Sequence, residues 1–285
     1  MRRYIGRAIR SVLNQDYRSL QYVVMDGGSS DGTVPFLESF GRKLMFESAP
    51  DGGAADALRR GFERAGGDIL AYLNADDEYL PGAISAVVQE FENNPETDVI
   101  YGEALWVDDR GRHIGRYPTR EFDADALIRE CFLCQPAVFF RRSAYQAVGG
   151  IDAGLGYTYD YDLWLRMARQ CSFVHLKQLL AKSRMYPENK TLGSRRQVFR
   201  ETISTVLANT GYASFGHVYA YACHLLDGRD QFFAPLRPSV LKFALAVAIG
   251  SVLNGPFCGR FWDEAADSVR MLRPAGPAPE LSTFR

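Results

Sequence analysis

The sequence predicts an α/β fold: a mostly parallel sheet flanked by helices, followed by a helical C-terminal extension. Three observations carry this. Short apolar runs alternate with helical patterns through the first half of the chain. Acidic residues stand just past two of those runs, at Asp26 and at Asp76-Asp77. Beyond Arg195, helical patterns broken by Gly and Pro take over. The expected boundaries are 1–194 for the α/β domain, 195–272 for the helical extension and 273–285 (RPAGPAPELSTFR) for a flexible tail.

Tyr4 to Gln15 reads as a helix with Ile5, Ile9, Val12 and Leu13 on one face. Leu20 to Met25 is a buried-strand run ending in the turn Asp26-Gly-Gly-Ser-Ser-Asp-Gly-Thr33. Val34 to Phe40 starts a helix with Pro35 in its first turn. Leu44 to Glu47 is a short strand, and Ala54 to Ala65 a helix closed by Gly66-Gly67. Ile69 to Leu73 is a continuous apolar strand that runs into Asn74-Ala-Asp-Asp77. A helix over Ala83–Asn93, strands over Val99–Trp106 and Ala137–Phe140, and a helix over Tyr161–Gln170 follow. In open α/β sheets ligands bind beyond the C-terminal strand ends, where both acidic clusters fall. The chain opens on a helix where such a sheet ordinarily opens on a strand. That strand is therefore expected either to be absent or to have been cut from the sequence.

Composition narrows the function. The chain has 285 residues with 33 Lys+Arg against 34 Asp+Glu, so bulk electrostatics exclude nucleic acid as a partner. Five scattered cysteines are no disulfide scaffold and point to a reducing, cytoplasmic setting. Cys131 and Cys134 have CxxC spacing without a second pair, and read as buried thiols rather than a redox or metal site. The four histidines show no ligand spacing. Phe243 to Leu253 is apolar for 11 residues, too short to span a bilayer. It reads as a buried helix or, flanked by Arg237, Lys242 and Arg260, as one lying on a membrane surface.

Three clusters could carry chemistry. Adjacent carboxylates at Asp76-Asp77 repel, and a shared divalent cation would relieve this; a solvated helix cap before Pro81 is the plainer alternative. The Asp26 loop lets backbone approach a ring or phosphate, or is simply a turn; it fails as an EF-hand, with Leu37 where a bidentate Glu belongs. Asp160 and Asp162 stand at the start of an apolar helix, as a proton acceptor and a cap or as two caps.

Together DGGSSDGT, APDGGAADALRRGF, GDILAYLNADD, QPAVFFRRSAYQAVGGID and TYDYDLWLRM, in this order from about Tyr4 to Thr191, resemble family 2 glycosyltransferases of the GT-A fold. The resemblance implies an inverting transferase moving a sugar from a UDP-, GDP- or dTDP-linked donor to a hydroxyl of a glycan, a lipid-linked or a small-molecule acceptor. It implies polysaccharide or glycolipid biosynthesis. The expected location is the cytoplasm or, through the C-terminal apolar run, the inner face of the plasma membrane. Asp26 then matches the nucleobase contact, with Gly27, Gly52, Gly53 and Asp56 lining the nucleotide. Asp76 matches a residue near ribose and metal, Asp77 a ligand of Mg²⁺ or Mn²⁺, and Asp160 the catalytic base. Asp162, Trp164 and Gln135 are assigned to the acceptor side. Tyr186 stands where the family often carries His, in a segment (Tyr186–Lys190) expected to close over substrate. The rival expectation is a truncated, catalytically inactive relative that acts as a binding partner.

Overall fold

The computed structural model describes residues 1–228, 239–255 and 258–271. Arg237 and the tail expected at 273–285 lie outside the described residues. The chain divides into two compact units, Met1–Glu201 and the residues from Thr202 onward, against an expected boundary at 194.

The first unit begins with α1 (Arg2–Leu13), β1 (Val23–Asp26), α2 (Thr33–Glu38), β2 (Met45–Ser48), α3 (Ala54–Arg64) and β3 (Ile69–Leu70). It continues with β4 (Glu78–Tyr79), α4 (Ala83–Asn93), β5 (Val99–Val107), β6 (His113–Arg116), α5 (Ala124–Arg129) and β7 (Val138–Arg141). Next come α6 (Arg142–Ala147), α7 (Tyr159–Met167), β8 (Phe173–Arg184), α8 (Lys190–Gly193) and α9 (Arg195–Thr210). The apolar stripe of α1 drives its docking: Ile5 and Ile9 bury against Leu37 of α2 and Leu44, while its arginines stay on the other side.

The helix-flanked α/β architecture is as expected, but the strand directions are not mostly parallel. β1 pairs with β2 in parallel as a separate two-stranded sheet. The larger sheet runs β3-β7-β5-β8-β4, with β6 added on β5. Only β5·β8 is parallel there; β3·β7, β5·β7, β5·β6 and β4·β8 are antiparallel. The β5–β6 link is a tight turn, too short for the long crossover that parallel neighbours need. Between β1 and β3 lies an apolar cavity of about 580 Å³, walled by Val12, Val24, Leu58, Phe62, Leu70 and Val87 among others.

β8 was not expected. Lys177, Gln178 and Lys182 interrupt its apolar run, yet it forms the longest described strand and lies along the whole of β5. The pairing steps out of register on either side of Glu103. Gly102 explains how the two backbones come so close there: a Cβ at this position would sit 2.4 Å from Leu180 Cδ1 and 2.8 Å from the Gln178 carbonyl oxygen.

In the second unit α10 (Phe215–Asp227) packs on α11 (Val240–Asn254) and α12 (Gly259–Met271), with Phe215 against Phe243 and Phe261. Among the described residues no helix is long and apolar enough to cross a membrane. α11 leaves Val240, Leu241 and Val252 exposed, but Lys242 is not a free basic flank: it is buried, and its Nζ donates to Asp227 at 2.8 Å.

Gly102→Ala is expected to destabilise the chain by about 1–3 kcal/mol through overpacking. Urea unfolding would read this, and an unchanged midpoint would mean that β8 yields freely at the irregularity.

Candidate active site

The site is built where the apolar run after Asp68 ends. β3 covers only Ile69–Leu70, and the chain then turns through residues 71–77 before β4. Gln135 fixes this stretch from behind: its Nε2 donates to the Tyr72 carbonyl at 2.7 Å, and its Oε1 accepts from Asn74 Nδ2 at 2.9 Å. Both ends of the amide are engaged in the interior, so Gln135 supports the acidic strand end.

Asp76 and Asp77 diverge. Asp77 is 4% exposed; its Oδ1 accepts from the Arg184 backbone N–H at 2.8 Å and its Oδ2 from Asn74 at 3.4 Å. Burial first, and the charge of Asp76 second, push its carboxyl above the ordinary range, against the bonds from Arg184 and Asn74. Asp77, the expected metal ligand, is thus enclosed and engaged with backbone and Asn74, beside a second carboxylate whose charge a cation would offset. Asp76 is the half-buried one. Its Oδ2 accepts from the Tyr186 hydroxyl at 2.8 Å, and no described protein donor reaches Oδ1. Tyr186 thereby ties the segment expected to act as a lid directly to the acidic turn, and Asn189 anchors it by donating to the Arg184 carbonyl at 3.0 Å.

Arg184 holds the turn together. Its side chain is fully buried, donating from Nε to the Asp76 carbonyl at 2.8 Å and from Nη1 to the Asp108 carbonyl at 2.8 Å, with Nη2 on Glu78. Nothing in the local sequence singled it out.

Asp160 lies in the first turn of α7, whose neighbour Tyr161 is anchored by its hydroxyl on the Leu127 carbonyl. Burial above all raises the Asp160 carboxyl to about 6; bonds from its own and the Tyr161 backbone N–H and the charge of Lys190 oppose this, while Glu201 adds to it. Two buried phenols link the carboxylates. Burial chiefly, then the charges of Asp160, Asp76 and Asp77, raise Tyr159; burial, then Asp160, Tyr159 and Asp77, raise Tyr72. Asp76, Asp77 and Asp160 thus share one neighbourhood. The Tyr72 hydroxyl within it is buried and has no hydrogen-bond partner among the described residues.

Two residues assigned to the acceptor side are engaged within the fold. Asp162 receives Nε and Nη2 of Arg166 at 2.9 and 2.6 Å, and Arg166 also donates to the Gly150 carbonyl at 2.7 Å, so this pair pins the turn after α6. Trp164 is wholly enclosed and packs edge-on against Phe140. An apolar helix buries its central aromatic residue when the face toward the sheet is the only dry one. The cysteines are free thiols, and burial pushes Cys131 up to about 12 and Cys134 higher than usual, which makes both inert.

The second cluster forms beside β1. Asp26 Oδ2 accepts from Gly28 N (3.1 Å), Ser29 N (2.8 Å) and Ser48 Oγ (2.6 Å). Partial burial would raise this carboxyl, but the bonds from Ser29, Ser48 and Gly28 outweigh it and leave it low. One of its oxygens is therefore committed to the loop. Gly27 passes so near Asp51 that a Cβ would stand 2.9 Å from its carboxylate, and Gly53 adopts φ 107° to start α3. Asp56 caps the same turn, accepting from Gly52 N at 3.2 Å and pairing with Arg59 at 2.8 Å. Gly27, Asp51, Tyr72 and Asn74 all line the 580 Å³ cavity, which joins the two loop clusters; Asp26, Asp76 and Asp160 are not among its walls.

Among the described residues, no three His, Cys, Asp or Glu side chains gather as a self-sufficient metal site. A lone accessible carboxylate such as Asp76 still suits Mg²⁺ or Mn²⁺, because these ions take one or two carboxylates together with substrate phosphates.

Loops bearing carboxylates at one rim of a helix-flanked sheet define a GT-A glycosyltransferase fold. The chain belongs to glycosyl transferase family 2, whose model matches residues 2–149. An uncharacterized glycosyltransferase of Rickettsia typhi is 29% identical over 201 residues, covering 66% of this chain and 62% of that protein. A PGL/p-HBAD biosynthesis glycosyltransferase of Mycobacterium bovis is 30% identical over 162 residues, 55% of this chain and 61% of that protein. The chain thus spans less than two thirds of the length of these relatives. The crystal structure of S. aureus TarS 1-349 in complex with UDP-GlcNAc superposes with a TM-score of 0.60 at 14% identity, over 86% of this chain and 75% of that one.

Arg184→Leu should cost about 3–5 kcal/mol, because it strands Glu78 and two carbonyls in the interior. Equilibrium urea unfolding measures it; a loss below about 1 kcal/mol would mean that water replaces the guanidinium.

Proposed function

We propose that this chain transfers a sugar from a nucleotide-diphosphate donor to an acceptor hydroxyl with inversion at the anomeric carbon. The observation that carries the reading is the family 2 match over residues 2–149 together with the acidic turn Asp76-Asp77, held past the β3 run by Gln135 and Arg184. The family and the UDP-GlcNAc bound to the TarS neighbour support a nucleotide-sugar donor. Polysaccharide or glycolipid biosynthesis follows from the same likeness.

Asp160 is the base. A carboxyl raised to about 6 is ionised at neutral pH yet basic enough to accept the proton of a hydroxyl as the new bond forms. Asp76 would hold Mg²⁺ or Mn²⁺ through its free Oδ1, and such an ion neutralises charge on a departing diphosphate. Tyr186 orients Asp76 from the other oxygen. Asp77 keeps the strand end in place. The glycine-bearing loops at Gly27 and Gly52-Gly53 give the nucleotide a flat backbone surface, and Asp26 rigidifies the first of them.

Asp160→Asn should leave nucleotide affinity unchanged and lower kcat about 10²–10⁴-fold. In the wild type kcat/KM should fall below pH about 6, as the base becomes protonated. A fully active Asn variant sinks the assignment. Stability moves the other way. The unfolded carboxyl titrates near 4, so the folded state binds the extra proton between there and about 6, and stability drops as pH rises through that window. Asp160→Asn should therefore gain on the order of 2 kcal/mol at pH 8 and nothing at pH 3.5, read by thermal unfolding.

Asp76→Ala should abolish the Mn²⁺-dependent part of UDP, GDP or dTDP binding in isothermal titration while keeping the native circular dichroism. Binding that needs no metal, with wild-type affinity in the variant, would remove Asp76 from the role.

A further inference from the structure

The turn that delivers Asp160 is held by a residue far along the chain. Glu201, in α9, accepts from the backbone N–H groups of Gly156 (3.0 Å), Tyr157 (2.5 Å) and Thr158 (2.7 Å) and from the Thr158 hydroxyl (3.1 Å). Thr158 stands at the N-cap of α7 but does not cap it with its side chain. Lys190 grips the same turn from its acceptor side: Nζ donates to the Gly156 carbonyl at 2.6 Å and lies 5.7 and 5.2 Å from the Tyr157 and Tyr159 rings. A carboxylate that takes three successive N–H groups and a hydroxyl uses charge-assisted bonds, each stronger than a neutral one. A backbone so held has little freedom, and the next residues are Tyr159 and Asp160.

We propose that Glu201 is a positioning residue for Asp160: by seizing the Gly156–Thr158 turn it fixes the start of α7 so that Asp160 faces the acceptor hydroxyl. The inference rests on Asp160 being the base, and it adds a residue that no local motif around α7 contains. Glu201 also contributes charge. The groups acting on Asp160 are Lys190, which favours its ionised form, and Glu201, which opposes it; Tyr72, Tyr159, Tyr117 and Cys131 face it as uncharged neighbours. Geometry and charge can be largely separated: a glutamine with its oxygen in the Oε1 place still accepts from Tyr157 and Thr158, gives up the Gly156 bond and loses the charge.

The experiment compares full-length wild type, Glu201→Gln and Glu201→Ala. Amide exchange is followed over residues 156–158, together with kcat, donor KM and the pH profile of UDP release from UDP-GlcNAc with Mn²⁺. Glu201→Ala should speed exchange of these amides on the order of tenfold or more. It should lower kcat about 10–100-fold with donor KM within about twofold, the pattern of a misplaced base. Glu201→Gln should retain most protection and shift the acidic limb to lower pH. Wild-type kcat and an unmoved acidic limb in both variants would overturn the proposal, whatever the exchange shows. If Glu201→Ala does not fold, Glu201→Gln alone decides by the acidic limb. If the wild type turns over neither UDP-GlcNAc nor GDP- and dTDP-sugars, it is the transferase reading that fails. Carbon-detected titration of the Asp160 carboxyl then decides on Glu201: a lower midpoint in Glu201→Gln supports it, and an unchanged one refutes it.

Discussion

A single enclosed guanidinium organises the acidic rim. A buried charge is tolerated only when its donors are met, and Arg184 meets them on the Asp76 and Asp108 carbonyls and on Glu78. Its own backbone N–H faces Asp77, so one residue at the end of β8 binds the turn by main chain and side chain together. The consequence is a fixed division between adjacent carboxylates. With Asp77 drawn inward, Asp76 projects the other way, toward Tyr186. Two neighbouring aspartates in a free turn would repel and rotate; here the backbone geometry imposed from β8 separates them.

The same logic governs the rest of the site, where each exposed group leans on an enclosed one. Gln135 sets the Tyr72 carbonyl and Asn74, Asn74 reaches Asp77, and Tyr186 meets Asp76. Asp162, through Arg166, fastens the turn after α6, while Glu201 and Lys190 fasten the one before α7. In the proposed reading the groups left to do chemistry are therefore few: Asp76, Asp160 and the loop backbones at Gly27 and Gly52-Gly53. The remaining polar residues hold these in place, which is the condition for a preorganised site.

Much of this rim was legible in the sequence, and the limits have physical causes. Apolar runs marked β1 and the stretch after Asp68, and strand-end geometry put Asp26 and Asp76-Asp77 at a ligand-binding edge. The α4 helix was read over the same span that it occupies. What the sequence could not tell was which of two adjacent aspartates turns inward, because that choice is made by Arg184, more than a hundred residues later. β8 escaped because its lysines and glutamine fall where a half-buried strand shows them to solvent, which breaks an apolar run without breaking the strand. The burial of Trp164 and the interior bonds of Gln135 were not legible for one reason: a place in α7 or just before β7 says nothing about which face a side chain takes. Tyr186 and Glu201 were invisible as partners, since neither stands near the carboxylate it serves.

Burial raises the proton affinity of Asp160, and it is also what Asp160 costs the fold. Moving a carboxylate out of water raises its proton affinity because its charged form is poorly solvated. That poor solvation persists in the resting protein, where the ionised carboxylate is met by few donors besides backbone N–H groups and the charge of Lys190. A fold optimised for stability would place a neutral side chain here. The phenols of Tyr72, Tyr159 and Tyr117 lie near this carboxylate, and the charge of Glu201 further disfavours its ionised form. Glu201 thus acts on this carboxylate twice: its charge disfavours the ionised form, and its bonds to the Gly156–Thr158 turn hold the backbone that leads into Asp160.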